Sequence, residues 1–296
     1  MRILLTIVHH WNPKGDGRHA SLRPDAQPRL QGLQDQLLHL VRLGTGQGAL
    51  NIGEMRVDNA SHALRHQFTI RLVTDGQHHL YDQLDERYQA LVEHVPTNPP
   101  TPKHLGFEAQ RILAEGLSDH YDLYGYLEDD LVIHDPLFFH KIFWFQQHMG
   151  ADAVLLPHRM ELFWAPDHLL EKFYIDGPVP EADLDNLLLH PAQPMAAPLP
   201  GGNIVFAPPA NPHAGCFFLA HGQLQHWSEQ EWFLDGDSSY VSPLESAATF
   251  GICKTFRIYK PHLAYAAFLE LQHWGTSFRC LVGKSVTPLD PAATSG

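Results

Sequence analysis

The chain has 296 residues, of which 44% are hydrophobic and 18% charged, and its formal net charge is −13. That length can bury a sizeable core in one α/β domain or two joined halves, and the composition excludes disorder over most of the chain. The acidic balance, with no basic stripe, excludes nucleic acid as a partner, because phosphate backbones are bound by clustered Lys and Arg.

No apolar run reaches membrane-spanning length, and residues 1–8 are too short for a secretory core and lack a small-residue cleavage site after them. Cysteines occur only at 216, 253 and 280. An odd count without close spacing fits a reducing compartment, so a cytoplasmic location is the expectation. The 22 histidines are scattered, with neither Cys/His spacing nor a His-Glu-x-x-His helix, and most read as half-exposed surface residues.

Residues 2–9 read as a buried strand. The polar, Gly-containing stretch 12–19 follows at its carboxyl end, where open α/β sheets bind ligands, and it carries Lys14 and Arg18 as candidate phosphate cations. Residues 27–43 space Leu30, Leu33, Leu37 and Leu40 as one helical face. A second strand is expected over 68–76, ending in a turn at Asp75. A Pro-rich connection (95–102) leads to an amphipathic helix over 105–117.

Residues 121–133 are an apolar run interrupted by Glu128, Asp129 and Asp130. A buried strand cannot hold three uncompensated charges, so the carboxylates must lie at an edge, against water, a metal or basic groups. Hard divalent cations take one or two such carboxylates and complete their shell with substrate phosphates and water.

A helix over 137–148 and a strand over 151–157 follow. Residues 176–202, rich in Pro, Gly and Ala, read as a mobile lid or a disordered segment. Then come a strand (215–220), helices over 223–233 and 244–250, a strand (254–259) and a frayed tail after 284. Alternating strands and helices predict an α/β fold with a mostly parallel central sheet.

The strand with Glu128-x-Asp130 at its end resembles the Asp-x-Asp segment of the GT-A nucleotide-sugar glycosyltransferases, with Glu in place of the first Asp. Residues 235–252, containing Asp235, Asp237 and Glu245, are similar to the acceptor-side segment of that family. The resemblance covers residues 1–280 in outline and is close only in these two stretches. It implies a GT-A-like Rossmann-type sandwich forming one catalytic domain over 1–283. Residues 1–157 would bind the nucleotide-sugar, 158–283 the acceptor, and 284–296 would be a flexible tail.

The resemblance further implies Mn²⁺ or Mg²⁺ at Asp130 and Glu128, with a C-terminal histidine, His273 or His262, completing the shell. The candidate nucleotide-binding residues are His9, Lys14, Arg18, Asp75, Glu128 and Asp129, and the resemblance implies transfer from a nucleotide-diphospho-sugar to a hydroxyl acceptor. Inversion is slightly favoured over retention because a candidate base is present. That proton acceptor would be Glu245 or, second, Asp237. Ser242-Pro243-x-Glu245 is also a capping sequence, and the two roles can coexist. Trp227, Trp232, Tyr240 and Trp274 could stack on sugars or belong to the core. The rival readings are a nucleotidyltransferase, a metal-dependent phosphoester hydrolase using His9, His10, Asp75 and the acidic triplet, and a non-catalytic nucleotide-binding protein.

Overall fold

The computed structural model describes residues 1–14, 20–164, 170–199 and 202–288. In chain order, β1 (Arg2–Val8) leads to α1 (Gln27–Gly44), the hairpin β2 (Gln47–Asn51) and β3 (Arg56–Ala60), β4 (Gln67–Thr74), the one-turn α2 (Glu86–Gln89) and β5 (Glu93–Pro96). Next come α3 (Leu105–Glu115), β6 (Leu123–Glu128), β7 (Leu131–Val132), α4 (Phe138–Met149), β8 (Ala153–Leu155), β9 (His158–Trp164) and β10 (Leu170–Tyr174). The chain continues through α5 (Glu181–Leu187), β11 (Met195–Leu199), β12 (Gly202–Ala207), β13 (Cys216–Ala220), α6 (His221–Ser228), α7 (Pro243–Thr255), β14 (Arg257–Pro261) and β15 (Glu270–His273).

The central sheet has the order β13-β6-β1-β4-β5. Four strands run parallel, and β13 pairs antiparallel with β6 at the edge. Parallel strands covered on both faces are apolar without alternation, which is why β1 and β6 read as continuous apolar runs. Leu30, Leu33, Leu37 and Leu40 of α1 are buried, as are Leu105, Ala109, Ile112 and Leu113 of α3. Each buried leucine contributes about 1.5–3 kcal/mol, so these helices are fixed to the sheet by their apolar faces. The expected α/β class, with a mostly parallel central sheet flanked by helices, is the architecture observed.

Two smaller sheets, β10-β9-β15-β7 and β11-β12-β14-β8, follow the parallel half. Strand β15 pairs antiparallel with β7 and parallel with β9. This returns the C-terminal part of the chain to the turn that carries the three carboxylates. No helix among the described residues is long and apolar enough to cross a membrane.

Residues 176–202 depart from the disordered alternative. They contain α5 and β11, and β11 pairs with β12. Asp176 at the start of this stretch has only 2% of its side chain exposed, held between Arg159 and Lys260. The prolines flank α5 and do not interrupt it, a placement that composition alone does not convey. The helix expected over 223–233 stops at Ser228, and that over 244–250 extends from Pro243 to Thr255. Of the expected tail, residues 289–296 lie outside the described residues.

Candidate functional site

Val8 of β1 lies beside Glu128 of β6, so the acidic turn sits at the carboxyl edge of the parallel strands. The side chain of Asp129 is fully buried. It accepts from His9 Nδ1 and from the Arg29 guanidinium, while the other ring nitrogen of His9 accepts from Leu80 N at 2.9 Å. Arg29 also donates to Asp130 Oδ2 at 2.9 Å. Further along α1, Gln36 donates to the carbonyls of Glu128 (2.7 Å) and Leu131 (2.9 Å), which fixes the backbone of the turn. A buried carboxylate needs such compensation, and for Asp129 a histidine and an arginine supply it.

The pairing of β15 with β7 brings His273 to Asp130, with Nε2 3.8 Å from Oδ2. On the other side, His273 Nδ1 stands 3.3 Å from Glu161 Oε1. Burial works against a charged imidazole, but Asp130 and Glu161 outweigh it and hold the His273 pKa above its ordinary value. Burial likewise opposes ionisation of Asp130, but His273, Arg29 and Arg159 together lower its pKa. Asp130 Oδ1 is buried and has no hydrogen-bond partner among the described residues. Trp274 locks the junction: its N–H donates to Asp130 O at 2.7 Å, its indole N–H donates to Asp35 at 2.8 Å, and its ring packs on Gly32 of α1.

Glu128 packs against Gly215. Its Oε2 lies so close to Gly215 that a Cβ there would stand 2.7 Å away, and Gly215 has φ +63°, which doubly favours glycine. Oε1 is buried without a partner among the described residues. Burial first, then the negative charges of Asp130 and Glu245, push the Glu128 pKa up to about 8, against the pull of Arg159 and His273. Beneath it, Arg159 Nε donates to Asp176 at 2.8 Å and Lys260 Nζ donates to the same carboxylate at 2.8 Å and to His213 O at 2.9 Å. Despite burial, Lys260 and Arg159 keep Asp176 strongly acidic.

Glu245 sits in the first turn of α7 and accepts from Ser242 Oγ. Ser242 is the residue before the helix and Pro243 opens it, as the capping sequence suggests, but the Ser242 side chain caps no backbone N–H among the described residues. The charge of Glu245 is felt by both Glu128 and Tyr126; burial, then Glu128 and Glu245, raise the Tyr126 pKa well above its ordinary value. The Tyr126 hydroxyl is buried and, among the described residues, has no partner. Glu128, Asp130, Arg159, Tyr126, Glu245 and His273 thus form one electrostatically linked group.

Other candidates lie apart from it. Asp237 and Asp235 bracket Lys254 at 3.2 and 3.1 Å, and Asp237 also accepts from Ser239. His262 is exposed, accepts from Ala264 N at 3.3 Å and caps a 3-10 turn, so the structure does not bring it to Asp130. Lys14 is exposed, and Arg18 lies outside the described residues. Asp75 follows β4 and contacts His10 and His78. Trp227 is core, and Trp232 donates to Thr255. A cleft of about 440 Å³ lined by Arg2, Arg65, Gln67 and Asp122 lies at the opposite, amino edge of the sheet.

Arg29, Gln36, Arg159, Glu161 and Asp176 do not stand out in the sequence. Arg29 and Gln36 are spaced i, i+7 beside the leucine face of α1, and Arg159 and Glu161 alternate along β9; those spacings are the available signals.

No family model matches the sequence, and no curated protein matches it. Solved structures similar to it include GalNAc-T7 with UDP, GalNAc and Mn²⁺ (TM-score 0.43, 11% identity, 92% of this chain and 44% of that chain covered). Another is mannose-1-phosphate geranyltransferase from Thermus thermophilus (TM-score 0.40, 12% identity, 88% of this chain and 73% of that one covered). The chain spans less than half the length of the first of these.

Proposed function

We propose that the protein is a GT-A-like glycosyltransferase that uses Mn²⁺ or Mg²⁺ and a nucleotide-diphospho-sugar and transfers the sugar to a hydroxyl acceptor. The observation that carries this reading is the pairing of Asp130 with His273 at the carboxyl edge of the parallel sheet. Asp130 has a buried oxygen unpartnered among the described residues, and His273 Nε2 is 3.8 Å from its other oxygen. One carboxylate and one imidazole fit an ion that takes its remaining ligands from phosphates and water. Asp129 is fully engaged by His9 and Arg29 and so does not fit as a ligand, whereas Glu128 keeps a buried Oε1 without a partner among the described residues.

An ion held by Asp130 and His273 would neutralise the leaving diphosphate. Arg29 keeps Asp130 oriented and offsets part of its charge before any ligand arrives. Glu128, whose Oε1 has no partner among the described residues, would face the donor's ribose or, through water, the ion. Glu245, oriented by Ser242, takes the proton of the acceptor hydroxyl in an inverting transfer. In this reading residues 1–157 hold the donor and 158–283 the acceptor.

Calorimetric titration with nucleoside diphosphates, with and without Mn²⁺, tests the site, and transfer assays with nucleotide-sugars test the reaction. Metal-dependent nucleotide binding that is lost in Asp130→Asn supports the reading; binding indifferent to both metal and the substitution refutes it. A second reading, a phosphoester hydrolase, is favoured by a His10–Asp75–His78 cluster at neighbouring strand ends. It requires phosphoester turnover without any sugar donor.

A further inference from the structure

We propose that His10, Asp75 and His78 form a binding site for a borderline divalent transition ion of the Zn²⁺ class, separate from the Asp130–His273 pair. The three ligand atoms lie within 4.8 Å of one another. Asp75 Oδ2 is 3.7 Å from His10 Nε2 and 2.9 Å from His78 Nδ1. His10 Nε2 is buried without a hydrogen-bond partner among the described residues.

The cluster is built by the backbone. His10 follows β1 and Asp75 follows β4, two neighbouring parallel strands, so both emerge at the same edge. Trp11 N donates to His78 O at 2.9 Å, which ties the third ligand's loop to the first. Asp75 Oδ1 accepts from Gln77 N (2.9 Å) and His78 N (2.7 Å), leaving Oδ2 turned towards both imidazoles. Carboxylates that bind metals are oriented in this way by outer hydrogen bonds.

His9 cannot join this set. One ring nitrogen serves Asp129 and the other accepts from Leu80 N. Two imidazoles and one carboxylate suit Zn²⁺ and related ions better than Mg²⁺ or Ca²⁺, and a three-residue set leaves a coordination position for water or a ligand oxygen.

The inference does not rest on the transferase reading, and its test is metal binding alone. The full chain, freed of metal by chelation and held in excess Mg²⁺, is titrated with Zn²⁺ by calorimetry and with Co²⁺ by visible absorption. One ion per chain should bind, with intense Co²⁺ bands that Zn²⁺ displaces. His10→Ala, His78→Ala and Asp75→Asn should each weaken Zn²⁺ binding by at least about 10–100-fold, the loss that outer-shell changes alone cause. Asp130→Asn should leave it unchanged. His10→Gln, closer in size, serves where His10→Ala fails to fold. Absence of Zn²⁺ binding, or binding equally tight in the folded His10 and His78 variants, overturns the proposal.

Discussion

Arg29 bridges Asp129 and Asp130 with a single guanidinium, 2.9 Å from Oδ2 of Asp130 and paired through its other amino nitrogen with Oδ1 of Asp129. Asp129 has no exposed side-chain surface, so removing Arg29 leaves it, among the described residues, with the His9 imidazole as its remaining ion-pair partner. Breaking a buried pair from one side typically costs about 3–5 kcal/mol. Arg29→Ala should therefore lower the unfolding free energy by roughly that amount, read as a reduced denaturant midpoint at unchanged slope. Arg29→Lys should recover only part, because an ammonium cannot span two carboxylates as the planar fork does. A loss within about 0.5 kcal/mol, the range of an ordinary surface substitution, would show that the bridge is not structural.

Asp130 and His273 should behave as one unit. If metal charge stabilisation contributes about 4 kcal/mol, Asp130→Asn should cut turnover by roughly a thousandfold. His273→Ala should weaken Mn²⁺-dependent nucleotide binding in parallel, and combining the two should cost less than the sum of the separate losses. Strictly additive losses in this double-mutant cycle would mean that the two residues do not hold a common ion.

Most of the central sheet is legible in the sequence because strands buried on both faces are continuous apolar runs, and α1 is legible from the spacing of Leu30, Leu33, Leu37 and Leu40; the half-exposed edge strand β5 lies partly in what reads as a Pro-rich connection. The acidic turn announces itself because Glu128, Asp129 and Asp130 end a run that has no other means of bearing charge. What compensates those charges is hidden. Arg29 looks like any cation on the rim of an amphipathic helix, and only the packing of α1 under the turn directs it inward. The nearness of His273 to Asp130 depends on a β15–β7 register that local pattern does not encode. The β2–β3 hairpin gives little signal because its strands are short and polar, with Leu50 and Val57 exposed. Within residues 176–202, the formation of α5 and β11 and the anchoring of Asp176 by two distant cations are features that composition does not reveal.

Glu128 gives a pH signature with a definite sign. Its folded pKa, about 8, lies above the value of about 4.3 for a free Glu. Between those values the folded chain holds a proton that the unfolded chain has released, so this group's contribution to stability is fully present below about pH 4.3 and falls as pH rises towards 8. Glu128→Gln cannot titrate. The wild-type stability profile, measured by chemical denaturation, should decline more steeply than that of Glu128→Gln between about pH 5 and 8. Parallel profiles would mean that Glu128 is ionised in the folded state.

Glu245 carries the sharpest test of the transfer mechanism. It accepts from Ser242 Oγ at the first turn of α7, and its charge reaches Glu128 and Tyr126. A carboxylate near a helix N-terminus typically contributes about 0.3–1 kcal/mol through the helix dipole, and Gln keeps the hydrogen bond from Ser242, so Glu245→Gln should change the Tm little. Proton abstraction is different, because an amide has no useful basicity near neutral pH and a positioned base contributes about 10²–10⁴ in rate. Sugar transfer in Glu245→Gln should therefore drop at least about a hundredfold with donor affinity preserved. Asp237, engaged with Lys254 and Ser239, should tolerate Asn without comparable loss. If transfer survives in Glu245→Gln and fails in Asp237→Asn, the base is Asp237; if both variants keep full activity, an inverting transfer through either carboxylate is wrong.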